Sequence, residues 1–498
     1  MSKNEIKNSF IDYSALVGSN VGVILISFVS IPLLVRILGV ADYGRLNLFF
    51  MVCQVAAVVV TRWTSMAMVR FGKEEFVKWH RISETFWARS AISFPVYAVI
   101  AAALFVFRGK ITGYIGINDI WSVWLIVLFI GFFWFIDCGH NISKATGRMR
   151  LYATMELLER VILTGLLALV FFTSIRAGLT LVITFYCLCQ FLVALYFLCR
   201  NKTDIFYPVK IHRHLVIDIF RYSAPLFVVS ASAMAMGWID VFVIKIFSSA
   251  ESVGLYSLSY RLMSYLELLS THAATVILPI LISFHVAKND NLIKEYVKRF
   301  IPQMAFLWSF LISLLMVTMH FSFDFIFGKD FAPSLQVLSI LLLGLSSYVL
   351  FSLHRPIIHV YKLTGKVFFI TAFALAINTL LDFMFVPAFG IKGAAVATSI
   401  SIVAMTLMQF RVTGGYLKII NLKQFLPLSI AFFTFFIVLF SKKTFTSGAV
   451  SIFAILLFSW ILLKTGRFFA KSDMDLLEKI DMPLALKSFL KRAITVLA

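Results

Sequence analysis

Val55–Met68 reads Val-Ala-Ala-Val-Val-Val-Thr-Arg-Trp-Thr-Ser-Met-Ala-Met, an apolar run with one cation, Arg62, at its middle. A stretch of this kind, taken as 46–69, is long enough to cross a bilayer. An unpaired cation at mid-membrane costs roughly 2.5–3.5 kcal/mol on insertion scales. A chain keeps such a residue where it faces a watery cavity or a partner, and ionisable residues of this kind mark substrate paths. His272 lies in a similar apolar run about 210 residues later, in a second copy of the same pattern. The pair argues for a transporter.

Working outward, the whole chain shares this character. Hydrophobic residues make up 61% and charged residues 14%, against about 25% charged in soluble domains. The fold class expected is all-α and integral to a membrane. Apolar runs place spans near 14–37, 46–69, 90–107, 120–140, 151–173, 178–199, 223–247, 254–283, 301–320, 333–353, 367–387, 391–410, 425–441 and 447–464, about fourteen transmembrane helices. The polar residues before the first span lack a cleavage signal, so that span is expected to stay as an anchor.

The net charge of +21 suggests an anionic or nucleic-acid partner at first sight. Orientation explains most of it. With the N-terminus inside, roughly 31 of the 45 Lys and Arg fall in cytoplasmic loops and tails and roughly 9 outside. Lys73, Lys78, Arg81, Lys144, Arg148, Arg150, Lys202, Lys210 and Arg213 are on the inner side in this topology. An even number of spans returns the C-terminus to the cytoplasm, and no nucleic-acid partner is needed. Arg62, Arg160, Lys245, Arg261 and Arg355 remain within or at the ends of spans. The five cysteines, Cys53, Cys138, Cys187, Cys189 and Cys199, all lie in or beside apolar spans and are expected to pack.

The chain repeats itself. Tyr13-Ser14-Ala15-Leu16 opens the first span and Tyr222-Ser223-Ala224-Pro225-Leu226 the seventh. The link Val40-Ala41-Asp42-Tyr43-Gly44 matches Ala250-Glu251-Ser252-Val253-Gly254. Lys144-Ala145-Thr146-Gly147-Arg148 recurs as Lys362-Leu363-Thr364-Gly365-Lys366, and Arg176-Ala177-Gly178 resembles Lys392-Gly393. Each copy holds about six spans, so both run in the same direction and are related by an axis along the membrane normal. The expected organisation is an N-lobe at 1–199, a cytoplasmic linker at 200–221, a C-lobe at 222–411, extra helices at 412–464 and a cytoplasmic amphipathic tail at 465–498. Gly18 and Gly22 form a GxxxG, and Ser230–Gly237 is small-sided; both read as close helix packing or a moving interface.

Chemistry by motif is excluded in several classes. Thr364-Gly365-Lys366 lacks the flanking residues of a nucleotide-binding loop, and no HExxH or GxSxG occurs. No cofactor and no metal site are expected. His354 and His359 are five apart and do not share a helix face, so capping or interfacial roles are expected. The ionisable residues within spans are the candidate cavity set: Arg62 with its repeat partner His272, Asp240 with Lys245 five residues on, Arg261, Glu267, and Asp137 with its counterpart Arg355. Glu156 and Arg160 are spaced to neutralise each other on one helix. Arginines at depth suit a ligand carrying phosphate or carboxylate.

The link Leu38-Gly39-Val40-Ala41-Asp42-Tyr43-Gly44, with Ala224-Pro225-Leu226, Asp240 and Gly254-Leu255-Tyr256-Ser257, resembles polysaccharide transporters of the multidrug/oligosaccharidyl-lipid/polysaccharide exporter superfamily. The resemblance spans roughly residues 10–411. It implies a MATE-like pair of six-helix lobes with two added helices, and an O-antigen-type flippase of the bacterial inner membrane. The substrate implied is an undecaprenyl-diphosphate-linked oligosaccharide of the kind used in lipopolysaccharide biosynthesis, moved by alternating access. Membrane lipids, a polysaccharide polymerase and a chain-length regulator are the implied partners. A cation-coupled drug or metabolite exporter of the same fold stands beside this reading. A membrane polymerase or glycosyltransferase is disfavoured because every outside loop is short.

Overall fold

The computed structural model describes residues 3–117, 121–173, 177–201 and 206–469. Arg176, Lys202 and the expected amphipathic tail at 470–498 lie outside the described residues. The described residues fold into helices and short turns, with no strand among them. In chain order the helices are α1 (Lys3–Val60), α2 (Ser65–Trp79), α3 (Ser83–Val106), α4 (Arg108–Ile115), α5 (Trp121–Thr146), α6 (Met149–Thr173), α7 (Leu179–Arg200) and α8 (Arg213–Phe247). They continue as α9 (Ala250–Val286), α10 (Asp290–Glu295), α11 (Ile301–Phe327), α12 (Ala332–Val360), α13 (Thr364–Leu417), α14 (Leu428–Phe440) and α15 (Phe445–Gly466).

By length and composition, 11 of these helical stretches can cross a membrane, and the chain is a multi-pass membrane protein. The fourteen expected spans fall on these eleven stretches and on α6, with two of the stretches each taking two spans. Two pairs of spans are each one long helix with a sharp kink: α1 bends at Gly39 (φ 69°) and α13 at Gly390 (φ 58°). Both glycines adopt the left-handed region that a side chain would strain, and each turns one span into the next without a loop. The fifth expected span is α6, whose Glu156, Glu159 and Arg160 make it less apolar than its neighbours.

One span is not continuous. The expected helix 46–69 ends at Val60, makes a single 3₁₀ turn over Arg62–Thr64, and restarts as α2. The polar stretch 70–89, expected as a loop, is mostly helix instead. Buried Glu75 makes this possible by capping the next helix: its carboxylate accepts from the backbone N–H of Glu84 (3.0 Å) and Thr85 (2.8 Å). An acidic group at a helix N-terminus satisfies donors that would otherwise be orphaned and complements the helix dipole.

Packing divides the chain into two compact units, Met1–Ser257 and Leu258–Ala498. The packing boundary and the expected linker at 200–221 differ by one helix, since α8 packs on α1, α2, α3 and the turn after α1. In the first unit α1 lies along α6, where a side chain on Gly22 would stand 2.9 Å from Leu157. Phe49, Phe50, Phe129 and Tyr186 form an edge-to-face cluster between α1, α5 and α7. The two copies of the repeated link touch each other at their glycines: Gly254 N lies 3.0 Å from the Cβ position of Gly44. At the end of the small-sided stretch of α8, nothing lies within 4 Å of a Cβ built on Gly237.

In the second unit α12 is the central helix, packed between α11, α13 and α14. Small residues let it approach α13 closely: Gly344 faces the backbone of Ser399, whose hydroxyl donates to Ile340 O (2.9 Å). His354, expected at a cap or interface, is instead buried among helices. Its Nδ1 meets the Thr413 hydroxyl at 2.9 Å and its Nε2 meets Gln424 Oε1 at 2.8 Å. It ties α12 to the end of α13 and to the turn before α14, and both ring nitrogens have partners as burial demands.

Candidate substrate site at a broken helix

The break after Val60 releases backbone groups that a continuous helix would pair, and neighbouring side chains take them up. Thr61 O accepts from Thr64 N (3.1 Å), from the Thr64 hydroxyl (2.8 Å) and from Arg89 Nη2 (3.0 Å). The Trp63 indole donates to Val59 O at 2.9 Å. In an apolar medium every backbone polar group needs such a partner, so the hydroxyls at Thr61, Thr64 and Ser65 are what make the interruption tolerable.

Arg89 organises the site from α3. Its side chain is fully buried, one of the largest such side chains in the protein. Nε donates to the Thr64 hydroxyl (2.9 Å), and Nη1 meets Cys138 Sγ (3.2 Å). Nη2 reaches the Thr61 hydroxyl (2.6 Å) and Asp137 Oδ2 (2.5 Å). Asp137, on α5, also accepts from the Thr61 hydroxyl (2.9 Å), the Ser65 hydroxyl (2.9 Å) and Asn141 Nδ2 (3.0 Å). The fully buried guanidinium and the half-buried carboxylate form an ion pair with most of their remaining hydrogen-bonding capacity filled, the condition under which such a pair is tolerated.

Arg62 stands on the exposed side of this network. Its guanidinium lies over the Phe133 ring, 5.4 Å from the centroid. Phe133 is one helical turn before Asp137 on α5, and Asp137 and Arg62 interact electrostatically. Arg62 makes no ion pair within 4.0 Å among the described residues. Two arginines and one carboxylate leave the group with an excess positive charge. The start of α2 adds the partial positive charge of a helix N-terminus. Next to it, Trp63 packs edge-on against Phe220 and Phe227 of α8. The arrangement holds a cation, backed by a fixed ion pair, where an oxyanion can be met without a side chain having to move far.

The other residues singled out by sequence lie elsewhere. Asp240 is buried near the end of α8 and accepts from the Tyr256 hydroxyl of α9. Lys245 Nζ lies 6.0 Å from the Tyr114 ring centroid. His272, Arg261 and Glu267 are half-buried on α9, where Glu267 interacts with the Tyr348 hydroxyl of α12. Arg355 is half-buried near the end of α12. Of the expected set, Arg62 and Asp137 come together at the break, and Glu267 and Arg355 both face the Tyr348 hydroxyl in the second unit. The sequence equivalence of Arg62 and His272 does not extend to the backbone, since α9 runs unbroken through His272. Glu156 lies 3.8 Å from His140 Nδ1. Arg89 escaped the reading of the sequence because it falls at the edge of the polar stretch 70–89.

The sequence pattern of a family described as "Polysaccharide biosynthesis protein" matches residues 11–285. The "Probable low-salt glycan biosynthesis flippase Agl15" of Haloferax volcanii is 25% identical over 206 residues, 41% of this chain and 43% of that protein. The match therefore spans less than half of that relative. Among solved structures, "Lipid II flippase MurJ, inward closed conformation" superposes with a TM-score of 0.65 at 16% identity, covering 92% of this chain and 99% of that one. An inward-facing "multidrug resistance MATE family transporter of the MOP superfamily" gives 0.64 at 14% identity, covering 82% and 98%. These structures share the fold expected from the resemblance, an all-helical MATE-like transporter fold.

Proposed function

Because this chain belongs to the polysaccharide biosynthesis protein family, we propose that it is a flippase for a lipid-linked oligosaccharide. The substrate class is an undecaprenyl-diphosphate-linked glycan of the O-antigen type, carried from the cytoplasmic to the outer leaflet of a bacterial inner membrane. The glycan flippase named in Haloferax volcanii supports this reading over a plain exporter. The observation that carries it is Arg62 at the helix break, exposed and backed by the Arg89–Asp137 pair. A diphosphate offers paired oxygens to a guanidinium fork, while the lipid tail stays in the bilayer. The two repeats, 1–199 and 222–411, act as lobes in alternating access. A polymerase and a chain-length regulator are the partners proposed downstream.

Arg62→Ala is expected to lower flipping of a fluorescent or radiolabelled lipid-linked oligosaccharide in proteoliposomes by about tenfold or more, the loss of one charge-assisted contact. The protein still accumulates, because Arg62 is exposed and its removal orphans no buried group. Arg62→Lys keeps the charge without the fork and falls between. Undiminished flipping by Arg62→Ala would remove Arg62 from the mechanism.

A half-buried carboxylate at Asp137 and a buried one at Asp240 leave the cation-coupled exporter as a second reading. Transport of the same lipid with and without an imposed proton or sodium gradient separates the two. Topology is tested independently: reporters fused at residue 1 and after 466, and in the 284–300 segment, are expected to read cytoplasm. A reporter at 441–445 is expected to read the outside, and an external C-terminus would break the count of spans.

A further inference from the structure

A second arginine follows Arg62 on the exposed side of α2. The exposed positions run Arg62, Met66, Arg70, Lys73 and Val77, at the three- and four-residue spacing of one helix face. Ala67, Met68, Gly72 and Glu75 are buried behind them. Arg70 therefore stands two turns beyond Arg62, about 12 Å along the axis. The charge bias along the chain puts that end of α2 at the cytoplasmic surface, at the level of phosphate headgroups.

Aromatic rings hold the head of Arg70. Its guanidinium carbon lies 4.8 Å from the ring centroid of Tyr222 on α8 and 5.6 Å from that of Phe71. The two rings meet edge to face at 5.8 Å. Both pack against buried Ala67, Ala88 and Ile219, which join α2 to α3 and α8. A guanidinium laid on a ring keeps its in-plane N–H donors free for oxygens. Arg62 is mounted in the same way over Phe133. Glu74, one turn after Arg70, lies 3.5 Å from its Nε, and both side chains are more than half exposed. An exposed pair one turn apart is weak, so a doubly charged ligand displaces it at little cost.

We propose that Arg70 is the entry site for the substrate's diphosphate, which then passes along the exposed face of α2 to Arg62. This step rests on the flippase reading and adds a second binding site to it. A lipid-linked diphosphate reaches the protein at headgroup level with its tail in the bilayer, and Arg70 offers it a guanidinium fork there. Glu74 competes for the same cation, which keeps the site weak enough to release what it binds. The headgroup of a bulk anionic lipid shares this chemistry, and the test separates the two.

Initial flipping rates are measured in proteoliposomes against the membrane density of lipid-linked oligosaccharide, giving a half-saturating density and a maximal rate. Arg70→Gln is expected to raise the half-saturating density about threefold to tenfold and to leave the maximal rate within about twofold. Glu74→Gln frees Arg70 and is expected to lower the half-saturating density by up to about twofold. Opposite signs are the signature, since a pair that only braced the helix would be lost equally in both variants. Lys78→Gln removes a cation from the last turn of α2 and is expected to change neither quantity by more than about twofold. The series is run in phosphatidylcholine alone and with phosphatidylglycerol added, and the Arg70→Gln shift is expected in both. A shift confined to vesicles with phosphatidylglycerol assigns Arg70 to bulk lipid and overturns the proposal. So does an Arg70→Gln protein without the shift, a Glu74→Gln protein that does not lower the half-saturating density, or a Lys78→Gln protein that shifts as far as Arg70→Gln. If Arg62→Ala lowers flipping while Arg70→Gln matches the unaltered chain, the entry step alone is lost. An unaltered chain that flips none of the lipid overturns the flippase reading and the entry step with it.

Discussion

Arg89→Ala is expected to leave too little folded protein to purify. The side chain is wholly buried and donates to groups on three elements: the turn after α1, the start of α2, and α5. Its removal deprives Thr61 O of a partner and leaves the half-buried Asp137 carboxylate with only neutral donors. Breaking a buried ion pair by deleting one member costs roughly 3–5 kcal/mol, a large share of the ~5–15 kcal/mol that separates native from unfolded proteins. Asp137→Asn is expected to cost less, because the amide still accepts from hydroxyls at one atom, although Arg89 then keeps an uncompensated charge. The informative variant is Arg89→Met with Asp137→Leu, which removes both charges and fills the volume. It is expected to recover part of the lost thermal midpoint, measured by size-exclusion after heating in detergent. Were Arg89→Ala as stable as the parent, the ion pair would not be what holds the break.

That residue also marks where reading the sequence stops. Hydropathy is a local, one-dimensional signal, so the fourteen apolar runs map onto the helices, including the two pairs fused at Gly39 and Gly390. The repeat is legible for the same reason, since each landmark is a short local string. Partners across helices are not local. Arg89 and Asp137 lie 48 positions apart, and nothing in either neighbourhood names the other. Charge density argues for a loop at 70–89, whereas Glu75 spends its charge on capping α3. The break at Arg62 was half visible: Thr-Arg-Trp-Thr-Ser places hydroxyls on both sides of a cation. Those hydroxyls are what a helix needs to be interrupted in lipid. His272 has hydroxyl neighbours too, at Ser270 and Thr271, but they donate to Glu267 O within an unbroken helix. Sequence equivalence by offset therefore located a corresponding position without a corresponding structure.

Gly44→Ala tests the closest approach in the first unit. A Cβ there would stand 1.8 Å from Ala250 O and 2.7 Å from Ala250 C. The reciprocal position is as tight, since a Cβ on Gly254 would meet Val40 O at 2.3 Å. The obstructing atoms are backbone on both sides, so no rotamer change relieves the clash. The first turn of α9 must move away from the kinked middle of α1, and Tyr43 and Val253, both fully buried, must move with it. Overpacking costs roughly 1–3 kcal/mol where side chains can yield; here they cannot, and the loss belongs at or beyond the upper end. Alanine's higher helix propensity returns only about 0.5–1 kcal/mol and does not reverse the sign. Gly237→Ala is the control, because open space surrounds it on α8, and it is expected to be neutral or mildly stabilising. The measurement is the folded fraction in membranes and the thermal midpoint of what can be extracted. A Gly44→Ala protein that matches Gly237→Ala in both would mean that the two links do not meet at their glycines, and that the repeat has no shared contact at this point.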